Sequence, residues 1–271
     1  MHLMNASPVA PLRGAVRVTV EPSKADMIDG LRKGLEVICA FDDSTPRLTQ
    51  SELAHRLDLS RAAARRYLMT LTALGYMATD GKSFWLTPKV MRLGHSYVSS
   101  ARLPRTVLPF LQKLTESLGE STSLAVLEDE DAVYVTRASA AKLLSTTIEP
   151  GTRLPAHTTA AGRILLSLMP DAELDNWLAS ATLKAYTPHT TTDKPGFKRE
   201  LLKLRKFGYS ATEGQYELGL RGIAVPLVDG GGMPVGALSV SMSIAAMSSA
   251  AAVRYFVPPL KAAAEQLRTQ L

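Results

Sequence analysis

Arg47-Leu-Thr49-Gln-Ser-Glu52-Leu-Ala-His-Arg-Leu-Asp-Leu-Ser60-Arg-Ala-Ala-Ala-Arg65-Arg-Tyr-Leu-Met-Thr-Leu-Thr-Ala-Leu-Gly75-Tyr76 is the stretch whose reading decides the fold. Thr49 followed by Glu52 fits a capping box, in which each residue satisfies an orphan amide of the other at a helix start. Leu53, Ala54 and Leu57 then give one apolar face. Asp58 and Leu59 form a tight turn, and Ser60 is a good N-cap for a second helix. Ala64, Leu68, Leu71 and Leu74 or Gly75 lie on one side of that helix, and Arg61, Ala62, Arg65, Arg66 and Tyr67 lie off it. Gly75 suits a left-handed C-terminal stop. Two helices, a tight turn and arginines on the second helix are the layout that places a reading helix in the DNA major groove. The partner expected first is therefore double-stranded operator DNA, contacted by Thr49, Ser60, Arg61, Ala62, Arg65, Arg66 and Tyr67. The competing reading of those arginines is a solvated helix face.

Upstream, Leu31 to Phe41 has helical spacing, with Leu31, Leu35, Ile38 and Cys39 on one face. Downstream, Tyr76–Thr79 and Ser83–Thr87 flank Asp80-Gly81-Lys82, a strong hairpin signal. Three helices and a hairpin make a winged helix-turn-helix over residues 26–88, with Lys82 at the tip of the wing. Residues 1–25, with three prolines and a glycine, read as a loosely ordered arm.

The charge distribution agrees with a DNA-binding N-terminal half. The formal charge is +6, from 31 basic and 25 acidic residues. Residues 1–102 carry 14 basic against 9 acidic side chains, and residues 103–271 carry 17 against 16. The surplus sits where phosphate attraction requires it. The single cysteine, Cys39, cannot close an intramolecular disulfide, as suits a reducing cytoplasm, and its place on the helix face predicts core filler. No apolar run is long enough to span a membrane, and no signal-peptide core opens the chain.

Pro88 introduces a connecting helix over residues 89–103, with Val90, Met91, Leu93, Gly94, Tyr97 and Val98 on a stripe suited to dimerisation. Pro104 and Pro109 bracket the boundary to a second domain, residues 104–271, whose first helix runs to about Leu118. Strands follow at Ser121–Glu128 and Ala132–Ala138, with a third at Leu143–Ile148. A loop through Pro155–Thr159 enters a helix that Pro170 ends, and a further helix at Phe197–Phe207 is stopped by Gly208. Ile223–Val228 and Val235–Met242 form a hairpin around Asp229-Gly-Gly-Gly232. Ser239 and Ser241 share one face of its second strand. The last helix runs from about Val257 to Leu271. Mixed strands and helices of this kind predict an α+β sensor domain.

With these motifs in place the chain resembles the IclR family of bacterial transcription regulators from Asp26 to Leu271. The matching residues are Lys33-Gly-Leu-Glu-Val37, Leu53-Ala54, Leu71-Thr-Ala-Leu-Gly-Tyr76, Arg153-Leu-Pro-Ala-His-Thr158 with Ala161-Gly162, and Leu218-Gly-Leu-Arg-Gly-Ile-Ala-Val-Pro226. Tyr134-Val-Thr-Arg-Ala-Ser139 and the ending from Pro259 look most like the subgroup controlling protocatechuate, p-hydroxybenzoate and β-ketoadipate catabolism. The resemblance implies a winged helix, a linker helix used in dimerisation, and a GAF-like effector domain in a homodimer or dimer of dimers, with RNA polymerase as a further partner. It implies an effector cavity lined by the loop His157, Thr158, Thr159, Ala160, Ala161 and Gly162, by Leu220 and Gly222, by Ser239 and Ser241, and by Leu144. Thr212-Glu-Gly-Gln215 departs from the family, where many relatives have a run of acidic residues.

Arg137, near a strand end and within the subgroup signature, is the candidate anchor for an effector carboxylate, which its guanidinium can grip through two hydrogen bonds. A salt bridge to one of the acids at 128–131, or a plain surface charge, is the competing reading. Thr158 and Thr159 serve as ligand donors, as helix caps, or as both. His157 serves the ligand or the structure. The remaining histidines lack ligand spacing, so neither zinc nor a cofactor is expected. The expectation for the whole is a cytoplasmic regulator of a catabolic operon that senses a small organic acid. An enzyme with an accessory DNA-binding unit and a ligand-independent DNA binder are the alternatives. No G-x-S-x-G elbow, Walker loop or His-Glu-x-x-His motif favours the enzyme.

Overall fold

The capping residues start their helices where their spacing places them. The computed structural model describes residues 26–42, 44–140 and 148–271, together with Ser23. These fall into two compact units, one ending at Tyr97 and the other running from Val98 to Leu271.

The N-terminal unit opens with α1 (Asp29–Cys39), followed by a short strand β1 (Leu48–Thr49) and α2 (Gln50–Arg56). The capping box is complete. Thr49 Oγ1 accepts from the Glu52 amide at 3.3 Å, and Glu52 Oε2 accepts from the Thr49 amide at 2.7 Å. Asp58 takes a left-handed conformation in the turn, with φ of 49°. Ser60 then caps α3 (Arg61–Ala73), its Oγ accepting from the Ala63 amide at 3.1 Å. Gly75, at φ of 78°, ends that helix and leads into β2 (Met77–Thr79) and β3 (Ser83–Leu86). The hairpin is joined by β1, which pairs antiparallel with β3, an association that two residues of strand could not announce in the sequence. Helix α4 (Met91–Ser100) follows a short 3-10 turn at Pro88–Val90.

The core of this unit holds Val37, Leu53, Ala54, Ala64, Leu68, Leu71 and Phe84. The face expected of α1 is corrected here. Leu31 and Leu35 are 60% and 50% exposed, and Cys39 is exposed rather than core filler. The helix turns Val37 inward instead, leaving Leu31 and Leu35 beside Ile38, Tyr67 and Leu74 along an open apolar groove.

The second unit contains α5 (Arg102–Leu118), β4 (Ser121–Glu128), β5 (Asp131–Ala138), β6 (Arg153–Pro155), α6 (Ala160–Ser167), α7 (Asp171–Ser180), α8 (Lys194–Phe207), β7 (Ser210–Glu213), β8 (Leu220–Val228), β9 (Pro234–Ser243) and α9 (Ser249–Arg268). The six strands form one antiparallel sheet in the order β6-β5-β4-β9-β8-β7. One sheet face packs on α5 and α9 through Val107, Leu111, Leu124, Val240, Phe256 and Leu260. The other packs on α6 through Ala125, Tyr134, Ile164, Leu165, Ala224 and Ala237. Outside α6, the helices α7 and α8 close a further core around Trp177 and Phe197. This is the expected α+β architecture.

Two helix boundaries differ from expectation. Pro104 and Pro109 lie inside α5 rather than flanking it, and α9 starts after its Ser248 cap, upstream of Pro258 and Pro259. A proline forfeits one helical hydrogen bond. Buried Ala252, Phe256 and Val257 hold the helix across that interruption. The strand expected at Leu143–Ile148, and Leu144 with it, lies outside the described residues except for Ile148. No described helix is long and apolar enough to cross a membrane.

Candidate functional site

In the N-terminal unit, the buried side of α3 carries Ala64, Leu68 and Leu71, so Arg61, Ala62, Arg65 and Arg66 are forced onto the exposed side. Tyr67 is half-buried against the core. Lys82 is exposed in the hairpin turn, where Asp80 Oδ1 accepts from the amides of Lys82 at 2.9 Å and Ser83 at 2.7 Å. Those amides hold the Asp80 carboxyl below its ordinary range. The Thr49 hydroxyl is spent on its cap, donating to Glu52 Oε2 at 2.8 Å. Sequence reasoning missed Arg47. Its guanidinium stacks 4.1 Å from the Trp85 ring and lies 3.6 Å from Asp80. No local pattern marks it, because its position follows from the unannounced pairing of β1 with β3.

The second unit contains a cleft between the sheet and the start of α6, enclosing about 420 Å3 of empty space with its open mouth included. Thr158, Thr159, Ala160 and Ala161 form one wall, Leu220 and Gly222 another, and Ser239 and Ser241 a third. The period-two alternation of β9 puts both serines on the cleft face. Thr159 caps α6, its Oγ1 accepting from the Gly162 amide at 3.0 Å. The Thr158 hydroxyl donates to the Pro155 carbonyl at 2.8 Å. Gly222 lets β8 approach α6 closely, since a Cβ there would stand 3.2 Å from Thr212 Oγ1 and 3.3 Å from Ala160 Cβ.

Three expected residues sit elsewhere. Gly162 packs behind the wall, against the Ala156 backbone. His157 is turned away from the cleft, with its Nε2 3.0 Å from the Lys184 carbonyl and its ring beside Tyr186. Burial pushes its pKa below the ordinary imidazole value. Arg137 does not line the cleft but belongs to the same sheet face. An irregularity in the β4–β5 pairing explains how. Tyr134 pairs with Ala125 and Thr136 with Leu124, leaving Val135 as an extra residue. The bulge brings Tyr134 and Arg137, three apart, onto one face. Arg137 thus lies opposite Ser123, which in turn pairs with Ser239. Its Nε donates to Ser139 Oγ at 3.2 Å, and burial lowers its pKa. The acids Glu128 and Asp131 are engaged by Arg153.

Tyr134, Gln215 and Tyr216 also line the cleft and were not foreseen as site residues. Tyr134 is buried, and burial pushes its pKa up to about 12. Gln215 comes from the loop after β7 and is held by Arg163, whose Nη2 donates to its Oε1 at 2.6 Å. Among the described lining residues the titratable groups are the phenols of Tyr134 and Tyr216. The arrangement presents hydroxyls, an amide and apolar walls to the cleft.

Comparison with known proteins places these two units. The model of the IclR helix-turn-helix domain matches residues 30–81, and that of the bacterial transcriptional regulator IclR C-terminal domain matches residues 95–269. The Pca regulon regulatory protein of Pseudomonas putida is 36% identical, over 99% of this chain and 96% of its own. The p-hydroxybenzoate hydroxylase transcriptional activator of Acinetobacter baylyi is also 36% identical, over 90% and 92%. Among solved structures, a Rhodococcus protein described as a transcriptional regulator superposes with a TM-score of 0.78 at 38% identity, covering 89% of this chain and 97% of that one. A double mutant of the PobR inducer-binding domain from Acinetobacter, in complex with 3-hydroxybenzoic acid, superposes at 0.60 with 29% identity, covering 63% of this chain and all of that one. Two family models that together span both units, and relatives this similar over nearly the full length, show that the chain belongs to the IclR family of bacterial transcriptional regulators.

Proposed function

We propose that this regulator senses a small aromatic acid, such as a hydroxybenzoate, in the cleft beside α6 and controls a catabolic operon for such compounds. The observation that carries the reading is the lining of the cleft. Apolar walls from Ile148, Leu154 and Leu220 suit a ring, and Thr159, Ser239, Ser241 and Gln215 offer polar partners at its edges. Two further facts support it. A relative of 36% identity activates transcription of p-hydroxybenzoate hydroxylase, and an inducer-binding domain of 29% identity holds 3-hydroxybenzoic acid. Arg137, on the same sheet face, is the long-range cation that draws in the carboxylate.

In this reading the exposed arginines of α3, Arg61, Arg65 and Arg66, meet DNA phosphates and base edges, with Lys82 and Arg47 on the wing. The working species is a homodimer. Met91, Leu93 and Tyr97 on α4 are large apolar side chains left in solvent by a single chain, as are Leu31 and Leu35. Exposed apolar surface of this kind marks association. Operator symmetry then mirrors the two-fold axis.

Calorimetric titration of the full chain with p-hydroxybenzoate, protocatechuate, β-ketoadipate and glyoxylate at fixed salt tests the sensor reading. Saturable uptake of a hydroxybenzoate is the expected result. Preferred uptake of glyoxylate would move the effector out of the aromatic class. Silence from all four would remove the cleft as an organic-acid site.

A further inference from the structure

Arg163 is a buried cation, 2% exposed, that reaches the cleft through Gln215. Its three nitrogens are all placed. Nε donates to the His157 carbonyl at 2.7 Å, Nη1 to Glu200 Oε1 at 2.6 Å, and Nη2 to Gln215 Oε1 at 2.6 Å. Its guanidinium also lies 5.2 Å from the Phe197 ring centre. Glu200 supplies one negative charge, so the buried cation is already balanced when it reaches Gln215.

The Gln215 amide is fixed from one side only. Besides Arg163, its Oε1 takes the Thr191 amide at 2.9 Å and the Thr191 hydroxyl at 3.3 Å. The side-chain oxygen is therefore saturated by three donors, which determines which way round the amide sits. The nitrogen end keeps two N–H donors, and Nε2 has no acceptor among the described residues, although Gln215 lines the cleft. The hydroxyls around it are committed differently. Thr158 spends its proton on the Pro155 carbonyl, and Thr159 Oγ1 accepts from the Gly162 amide. A ligand carboxylate needs donors, and the Gln215 amide is a donor locked in place before the ligand arrives.

We propose that Gln215 is a specificity-determining residue that donates from Nε2 to the carboxylate of the bound acid, with Arg163 as the positioning residue that holds its amide in that orientation. The assignment rests on the effector reading of the cleft given above. It also accounts for the residue type. A glutamate at 215 would accept the same three hydrogen bonds but present a second anion to the ligand, since Glu200 has already neutralised Arg163. The neutral amide keeps the network and admits an acid.

The test is calorimetric titration of the full-length wild type, Gln215→Glu and Gln215→Met with sodium p-hydroxybenzoate and with the neutral p-hydroxybenzamide, thermal melts serving as the check on folding. Gln215→Glu keeps acceptors for Arg163 and Thr191, so its melt stays near that of the wild type. It loses about 10–100-fold in affinity for the acid, the range for a hydrogen bond to a charged group, and keeps the amide within about threefold, so the order of preference shifts toward the amide. Gln215→Met, which removes the donor without adding charge, weakens the acid by about tenfold or more. Folded variants that bind the acid with the wild-type Kd would overturn the role of Gln215 and leave the effector reading intact. Equal losses for acid and amide in Gln215→Glu would also overturn it, by reporting altered shape rather than a carboxylate contact. A wild-type chain that takes up neither probe would overturn the effector reading itself.

Discussion

At the scale of the residue, Gly162 shows how closely the cleft wall is built. A Cβ at this position would come within 2.3 Å of both Cα and the carbonyl oxygen of Ala156, and backbone cannot move aside as a flexible side chain can. Its amide also donates to Thr159 Oγ1, fixing a side chain of the cleft wall. Gly162→Ala should therefore lower stability by about 1–3 kcal/mol in urea unfolding, the usual cost of overpacking, and weaken uptake of the acid along with it. His157 supplies a second expectation. Its folded pKa lies below the unfolded value because burial disfavours the imidazolium. The unfolded chain then binds the proton more readily, so stability is full above about pH 6.5 and declines as the pH falls below it. His157→Gln, which retains a donor for the Lys184 carbonyl, should flatten the fall in Tm between pH 7 and pH 5. An unchanged slope would place the acid sensitivity elsewhere. Local periodicity put Ser239 and Ser241 on one strand face and Thr158 to Ala161 at the entry to a helix, but their place at the cleft was legible only through the family resemblance. Tyr134 and Gln215 were not legible as site residues. A bulge at Val135 decides which face Arg137 shares with Tyr134, and the orientation of Gln215 depends on Arg163, 52 residues away in sequence.

At the scale of the element, helix α3 is specified twice, by its cap and by its apolar side. Ser60→Ala removes the acceptor for the Ala63 amide, and about 1 kcal/mol of stability should go with it in chemical denaturation. The arginines are exposed on the side opposite the core, where the proposed reading assigns them to DNA rather than to this stability. Arg65→Ala and Arg66→Ala should each weaken operator binding and reduce the slope of log affinity against log salt by about one where a phosphate contact is lost. Unchanged slope and affinity in both folded variants would remove α3 as the reading helix. Helices, caps and hairpins were readable because each is written within a few residues. Partners were not. Strands β1 and β6 are two and three residues long and exist through pairing with distant β3 and β5. Helix α1 has apolar residues on more than one side, and the choice of Val37 over Leu31 and Cys39 for the core belongs to its packing on the other helices. Prolines at 258 and 259 look like a helix start, yet the contacts of Phe256 and Val257 beneath the sheet carry α9 through them.

At the scale of the whole molecule, the chain joins a basic helix-turn-helix unit to an α+β unit with a cleft lined by hydroxyls, an amide and apolar side chains, and regulation requires the two to be thermodynamically coupled. Coupling is a difference in operator affinity between the free and the liganded protein, typically about 1–3 kcal/mol, or roughly 5–150-fold. It is reciprocal, so operator DNA must change the affinity for the acid by the same factor. The central claim, a DNA-binding regulator controlled by a small aromatic acid, is tested most directly by one measurement. The full-length chain is titrated against an operator selected from random duplexes, at fixed salt, with and without saturating p-hydroxybenzoate. The account predicts a shift in operator Kd within that 5–150-fold range. An operator Kd unaltered by an acid that calorimetry shows to be bound would contradict it.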